Sequence, residues 1–374
     1  MPPLDRFAQL KLAELDARNQ RRRVVDTTRQ DGLWVLRDGR RLLSFSCNDY
    51  LNLSHHPKVK EAAVAAIAAY GAGAGASRLV TGNHPLFTAL EARLAGLKGT
   101  QAACIFGSGY LANAGIIPAL IGEGDLLLVD ALSHSCLWAG AQLSRGTVVT
   151  FRHNDVAHAE VLLRAHRATH GNALIVTDGV FSMDGDLAPL TELSALARAH
   201  DAWLMSDDAH SLGGAHSQAD LQMGTLSKAL GSYGGYLCAS APVIELVKTR
   251  ARTLIYSTGL PPASAAAALA ALDIIESDPT LATRPVTNAQ AFTRACNLPL
   301  AQSPIVPVLL GDELVALEAQ QILEREGFLA IAIRPPTVPS GTARLRLAFT
   351  AGHAQADIAR LATLVRARIL PMAA

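Results

Sequence analysis

The sequence predicts an α/β fold in which a mainly parallel sheet lies between helices, with a second, smaller α/β unit after it. Two observations predict it. Between about residues 100 and 260, short apolar runs alternate with helix-like ones, and beyond an alanine-rich stretch near 263–275 a shorter series of strand and helix patterns begins. Continuous apolar strands separated by helices indicate a parallel sheet covered on both faces, because each crossover helix buries its apolar stripe against the sheet. At 374 residues the chain has room for a large domain, one or two smaller ones and a cleft.

The elements follow in order. The opening MPPLDRFAQLKLAELDARNQRRR spaces Leu4, Phe7, Leu10, Leu12 and Leu15 among charges, as an amphipathic helix does and an apolar signal core does not. Residues 1–45 are expected to be a helical and strand segment, 46–275 the large domain and 276–374 the small one. In the large domain the alternation runs ACIFGSG and LANAGIIPALI; LLLVD; TVVTF and HAEVLLRAH; ALIVTDG and LTELSALARAH; AWLMSDD; GYLCAS and VIELVKTR. In the small one, IVPVLLGD, LVALEAQQILERE, FLAIAI, ARLRLAFT and DIARLATLVRARI alternate around RPPTVPSG, a loop because proline cannot donate to a sheet ladder.

Composition excludes several functions. The 33 basic and 32 acidic residues nearly cancel, so a broad basic surface for nucleic acid is not expected. Cys47, Cys104, Cys136, Cys238 and Cys296 form no CxxC pair and read as reduced thiols of a cytoplasmic protein. The alanine-rich stretches 62–69 and 261–272 are too short or too interrupted to span a bilayer. A soluble, non-membrane protein is expected.

Ligands of open α/β sheets bind beyond the carboxyl ends of the strands, so polar residues that end apolar strands are the candidates. FGSGY (106–110) ends one strand and opens a helix whose first N–H groups suit a phosphate; a glycine turn with a helix cap is the other reading. MSDDAH (205–210) closes another strand with two carboxylates and a histidine, for which a structural ion pair competes with a function. GTLSKALGSYGG (224–235) sets Lys228 among small residues, a surface lysine or one free to approach a bound group. GAGAGASR (71–78) follows a helical run instead of a strand and is a poor dinucleotide fingerprint. His166 and His170 share a helical face but lack an evident third ligand, so no metal is expected. Arg21, Arg22 and Arg23 form the only basic run, a solvated helix end or a contact for an anionic substrate.

Taken together, these motifs resemble the α-oxoamine synthases, enzymes of pyridoxal 5'-phosphate (PLP) fold type I that condense an amino acid with an acyl-CoA. CNDYLNLSHHP (47–57), RHNDVAH (152–158), GVFSMDGDLAPL (179–190), IYST (255–258) and IRPPTVPSGTARLRL (333–347) carry the resemblance across nearly the whole chain. It is strongest to the branch that joins L-alanine to pimeloyl-CoA, or pimeloyl carrier protein, in biotin synthesis. The resemblance implies a Schiff base of PLP on Lys228, Asp207 at the pyridine nitrogen, His210 at the phenolic oxygen, His134 stacked on the ring and Ser182 beside it. It places Ser108, Gly109, Tyr110 and Thr225 near the cofactor, chiefly at the phosphate, with Thr258 arriving from the second subunit of a homodimer. Arg21, Asn48, Thr337 and Arg346 fall on substrate positions, with Arg346 on the amino acid carboxylate. PLP draws carbanion electrons into its ring, and a carboxylate at the ring nitrogen favours the protonated form that does this best.

Three features depart from the family pattern. The connection 211–224 is short, Asp178 stands where relatives have glutamate, and Phe87 where they often have histidine. Two other functions share nearly every cofactor residue: glycine C-acetyltransferase and 5-aminolevulinate synthase. A catalytically silent binding subunit of this fold would be expected to lack Lys228, Asp207, His210 or His134, all present here.

Overall fold

A computed structural model describes residues 1–211 and 218–373. Contacts divide the chain into two compact units, one of residues 1–47, 183–185 and 285–374, the other of residues 48–182 and 186–284. The first unit opens with α1 (Pro3–Ala17), β1 (Thr27–Arg29), β2 (Trp34–Arg37) and β3 (Arg40–Ser44). The second unit follows with α2 (Pro57–Tyr70), α3 (Pro85–Lys98), β4 (Ala102–Phe106), α4 (Gly109–Leu120), β5 (Leu126–Asp130), α5 (Ser135–Leu143), β6 (Thr147–Phe151), α6 (Val156–His166), β7 (Ala173–Asp178), α7 (Leu190–Ala199), β8 (Trp203–Asp207), β9 (Leu221–Thr225), β10 (Gly235–Ala239), α8 (Ala241–Arg250), α9 (Arg252–Ile255) and α10 (Pro262–Ser277). The chain then returns to the first unit through α11 (Arg284–Cys296), β11 (Ile305–Gly311), α12 (Glu313–Arg325), β12 (Phe328–Leu329), β13 (Ile331–Ile333), β14 (Ala343–Ala348) and α13 (Gln355–Leu364).

The larger unit is built on a seven-stranded sheet in the order β4-β10-β9-β8-β7-β5-β6. It is parallel except for β10, which runs antiparallel to both β4 and β9. Alternation along the strands sends Leu127, Val129, Leu174, Val176 and Met205 into one apolar core. Leu126, Leu128, Ile175 and Leu204 enter a second core. Both faces are therefore buried, which is why these strands read as unbroken apolar runs. The carboxyl ends of β4, β5, β7, β8 and β9 share one edge, where Asp130, Asp178, Asp207 and Thr225 end their strands.

In the other unit β11-β14-β13 form an antiparallel sheet, and β1-β2-β3-β12 form a second one closed by parallel pairing of β12 with β3. The sequence reading sets residues 1–45 apart from 276–374; that pairing, with Phe45 and Phe328 in one shared core, gathers them into a single unit. Helix α1 forms at the expected place but buries none of its residues, so Leu4, Phe7 and Leu10 stay exposed. Among the described residues, no helix is long and apolar enough to cross a membrane.

Candidate active site

The two aspartates that end β8 point to different partners. Asp207 accepts from Asn113 Nδ2 of α4 at 2.7 Å and from the Ala209 amide at 2.9 Å, and Cys136 Sγ of α5 lies 3.7 Å away. Burial pushes the Cys136 thiol up to about 12, so it stays protonated and can donate. Asp208 instead pairs with Lys98 Nζ at 2.7 Å. Asp207 is thus held in place by neutral donors, while Asp208 supplies the structural ion pair.

His134 caps α5, its Nδ1 accepting from the Cys136 amide at 3.3 Å, while its own backbone N–H donates to Asp178 Oδ2 at 2.8 Å. Burial lowers the His134 pKa and favours the neutral ring, against the pull of Asp207. Asp178, the departure from glutamate, is fully buried at the end of β7; burial first and the Asp207 charge second raise its pKa well above the ordinary carboxylate range. It anchors the backbone of His134 itself. Phe87 is wholly buried with the Arg78 guanidinium 5.6 Å from its ring centre, a packing position.

Lys228 lies in the connection of the β9–β10 hairpin, where Thr225 pairs with Gly235. Its Nζ is 2.8 Å from His210 Nε2, and His210 Nδ1 is 2.6 Å from the Tyr50 hydroxyl, which donates to Asn48 Oδ1 at 3.2 Å. The loop is pinned at Gly231, whose φ is +60° and where an added Cβ would stand 2.4 Å from the Ser54 amide nitrogen; only glycine meets both conditions cheaply.

Ser108 caps α4 by accepting from the Leu111 amide at 3.2 Å, which leaves the first helical N–H groups, of Gly109 and Tyr110, for an anion. Gly109 packs against the end of β9, since a Cβ there would be 3.1 Å from Met223 Cε and 3.6 Å from Thr225 Cβ. Thr225 Oγ1 donates to the Gly234 carbonyl at 2.8 Å. Tyr110 is exposed, Ser182 is buried just beyond β7, and exposed Thr258 forms an isolated bridge with Ser77 of the glycine-rich segment 71–78. A buried carboxylate, a lysine amine and a capped helix start with a glycine cradle, all at one sheet edge, form a donor set that fits PLP.

Arg21, Thr337 and Arg346 belong to the other unit. Arg21 pairs with Asp16 at 2.7 Å and, with Arg22, Arg23, Arg334 and Thr337, lines a cleft of about 800 Å³. Arg22 donates to Thr337 Oγ1 at 2.8 Å. Arg346 is buried in β14, between Pro307 of β11 and Ile331 of β13. Arg344, on the same face by the strand's two-residue period, donates to Asp184. His170 Nδ1 bonds the His166 carbonyl at 2.8 Å, a local cap. Within the 211–224 connection, residues 212–217 lie outside the described residues.

Sequence reasoning assigned no site role to Tyr50, Asn113, Cys136 or Lys98. Asn113 carried a signal, an amide inside the apolar helical run LANAGII, and Cys136 lies two residues from His134.

The sequence matches the aminotransferase class I and II family over residues 40–365. It is 62% identical over 377 residues, 98% of each chain, to the 8-amino-7-oxononanoate synthase of Beijerinckia indica. It is 67% identical to that of Methylocella silvestris, covering 89% of this chain and 98% of the relative. A serine palmitoyltransferase from S. paucimobilis, solved with a PLP–myriocin aldimine, superposes with a TM-score of 0.91 at 28% identity over 98% of each chain. The chain belongs to the 8-amino-7-oxononanoate synthases, within the PLP-dependent aminotransferase class I and II family.

Proposed function

We propose that this chain condenses L-alanine with pimeloyl-CoA, or with pimeloyl carrier protein, and with loss of carbon dioxide forms 8-amino-7-oxononanoate for biotin synthesis. The observation that carries the reading is the 2.8 Å contact of Lys228 Nζ with buried His210, at the same sheet edge as buried Asp207, in a chain 62% identical to a synthase of that name. In the net reaction the alanine α-carbon bonds to the acyl carbon, the thioester C–S bond breaks to release the thiol, and the alanine carboxylate departs as carbon dioxide.

Bound PLP supplies an electron sink for the negative charge that develops on the alanine α-carbon. Lys228 would hold the cofactor covalently and, once displaced, remove the α-proton as a free amine. Asp207, fixed by Asn113 and the Ala209 amide, would place its charge against the pyridine nitrogen. His210 would lie at the phenolic oxygen, and neutral His134 would cover the ring with Ser182 beside it. Ser108, Gly109, Tyr110 and Thr225 would receive the phosphate at the start of α4. Exposed Thr258 would serve the phosphate of a second copy of the chain in a cytoplasmic homodimer. On the substrate side, Arg346 would grip the alanine carboxylate, with Asn48, Thr337 and Arg21 contributing further contacts and Arg21 meeting the remote pimeloyl carboxylate.

Thiol release by the PLP-loaded protein tests the reading. Release and carbon dioxide in step with L-alanine and pimeloyl-CoA or pimeloyl carrier protein, and not with glycine and acetyl-CoA or succinyl-CoA, is expected. Activity with the glycine pairs alone would move the chain to a sister function.

A further inference from the structure

Tyr50 is wholly buried, and its hydroxyl, with one proton, lies between Asn48 Oδ1 at 3.2 Å and His210 Nδ1 at 2.6 Å. Its place is set by the neighbouring turn: Asp49 accepts from the Leu53 amide at 3.0 Å and the Ser54 amide at 3.2 Å, and Asn52 takes a φ of +57°, which asparagine tolerates. A carbonyl oxygen only accepts, so a bond from the hydroxyl to Asn48 commits the tyrosine proton there, and the tyrosine oxygen can then only accept at His210.

We propose that Tyr50 is a positioning residue for the reaction: donating to Asn48, it accepts from His210 Nδ1–H and so leaves Nε2 as the acceptor that orients Lys228. The tautomer has a chemical consequence. A lysine ammonium is neither nucleophile nor base, and an acceptor 2.8 Å away gives its surplus proton a destination, Lys228 losing it and His210 Nε2 gaining it. The imidazolium so formed has both ring nitrogens protonated, and the tyrosine oxygen already faces Nδ1–H, so no reorganisation is required. Without the hydroxyl, Nδ1 loses that acceptor and the two neutral tautomers compete.

The inference rests on the assignment of Lys228 and His210 to the cofactor site, and its test separates the two. The full chain is labelled with ¹⁵N-histidine, and the His210 signals are identified by their loss in His210→Gln. Nδ1 protonated and Nε2 bare in the parent, shifting toward a mixture in Tyr50→Phe, is expected. The kcat/KM for L-alanine should fall about tenfold in Tyr50→Phe at unchanged PLP content, the scale of one hydrogen bond, and Tyr50→Phe should add nothing in the His210→Gln background. A bare Nδ1 in the parent overturns the inference and needs no folded variant to show it. An unchanged His210 spectrum in Tyr50→Phe, or effects that add, also overturns it. A parent chain that takes no PLP on Lys228 would defeat the cofactor assignment instead, while the tautomer spectra would still decide the role of Tyr50.

Discussion

Lys98 Nζ lies 2.7 Å from Asp208 Oδ2 with both side chains almost completely buried, so the larger unit carries an ion pair inside its fold, beside the carboxylate proposed to face the cofactor. Ser206 Oγ adds a donor to Asp208 at 2.9 Å. Burial raises the Asp208 pKa although Lys98 opposes the shift, so the pair is held against a large desolvation cost. Removing one partner leaves the other charge buried alone. Lys98→Met should therefore lower stability by about 3–5 kcal/mol. Denaturant unfolding of the parent and variant at pH 7 checks it.

His353 stacks on Phe45 with ring centres 3.9 Å apart; its Nδ1 accepts from the Thr350 amide at 2.9 Å and its Nε2 faces the Ser44 carbonyl at 3.0 Å. Burial lowers its pKa from 6.5 to about 4, against the Ser44 hydrogen bond. The folded state binds the proton less readily than the unfolded one, so this contribution to stability is complete above pH 6.5 and is lost as pH falls toward 4. The span is worth about 3 kcal/mol. Unfolding curves at pH 7 and pH 4.5 should lie closer together in His353→Gln than in the parent.

Arg346 is proposed to hold the substrate carboxylate by a two-pronged contact, which a lysine cannot reproduce. Arg346→Lys should raise the KM for L-alanine about tenfold, the scale of one charged hydrogen bond, and leave the visible absorbance of bound PLP unchanged. Steady-state kinetics and a spectrum of the same preparation check both. Loss of the absorbance would place Arg346 on the cofactor.

What the sequence made legible was what burial dictates. LLLVD reads as a strand because β5 is covered on both faces. The direction of β10 was not legible, since a buried strand carries the same apolar pattern either way. β9 was missed because Gln222 and Gly224 interrupt its apolar run; Gln222 reaches toward the Lys98 carbonyl, and Gly224 leaves room for the Tyr236 ring, which an added Cβ would meet at 2.3 Å. α5 was missed because it is short and begins at a histidine cap instead of the usual serine or aspartate. At the site, the two aspartates were visible as a pair, but which one takes the ion pair depends on Lys98, 110 residues earlier, and no local pattern reports that. Tyr50 stayed unassigned for the same reason, its partner His210 being 160 residues away.

The attachment point of the cofactor is the most direct measurement. The PLP-loaded protein is reduced with borohydride, digested and read by peptide mass spectrometry. The PLP-derived mass is expected on the peptide containing Lys228, with no mark on any peptide of Lys228→Ala. A mark on another lysine, or none on the parent, would contradict it.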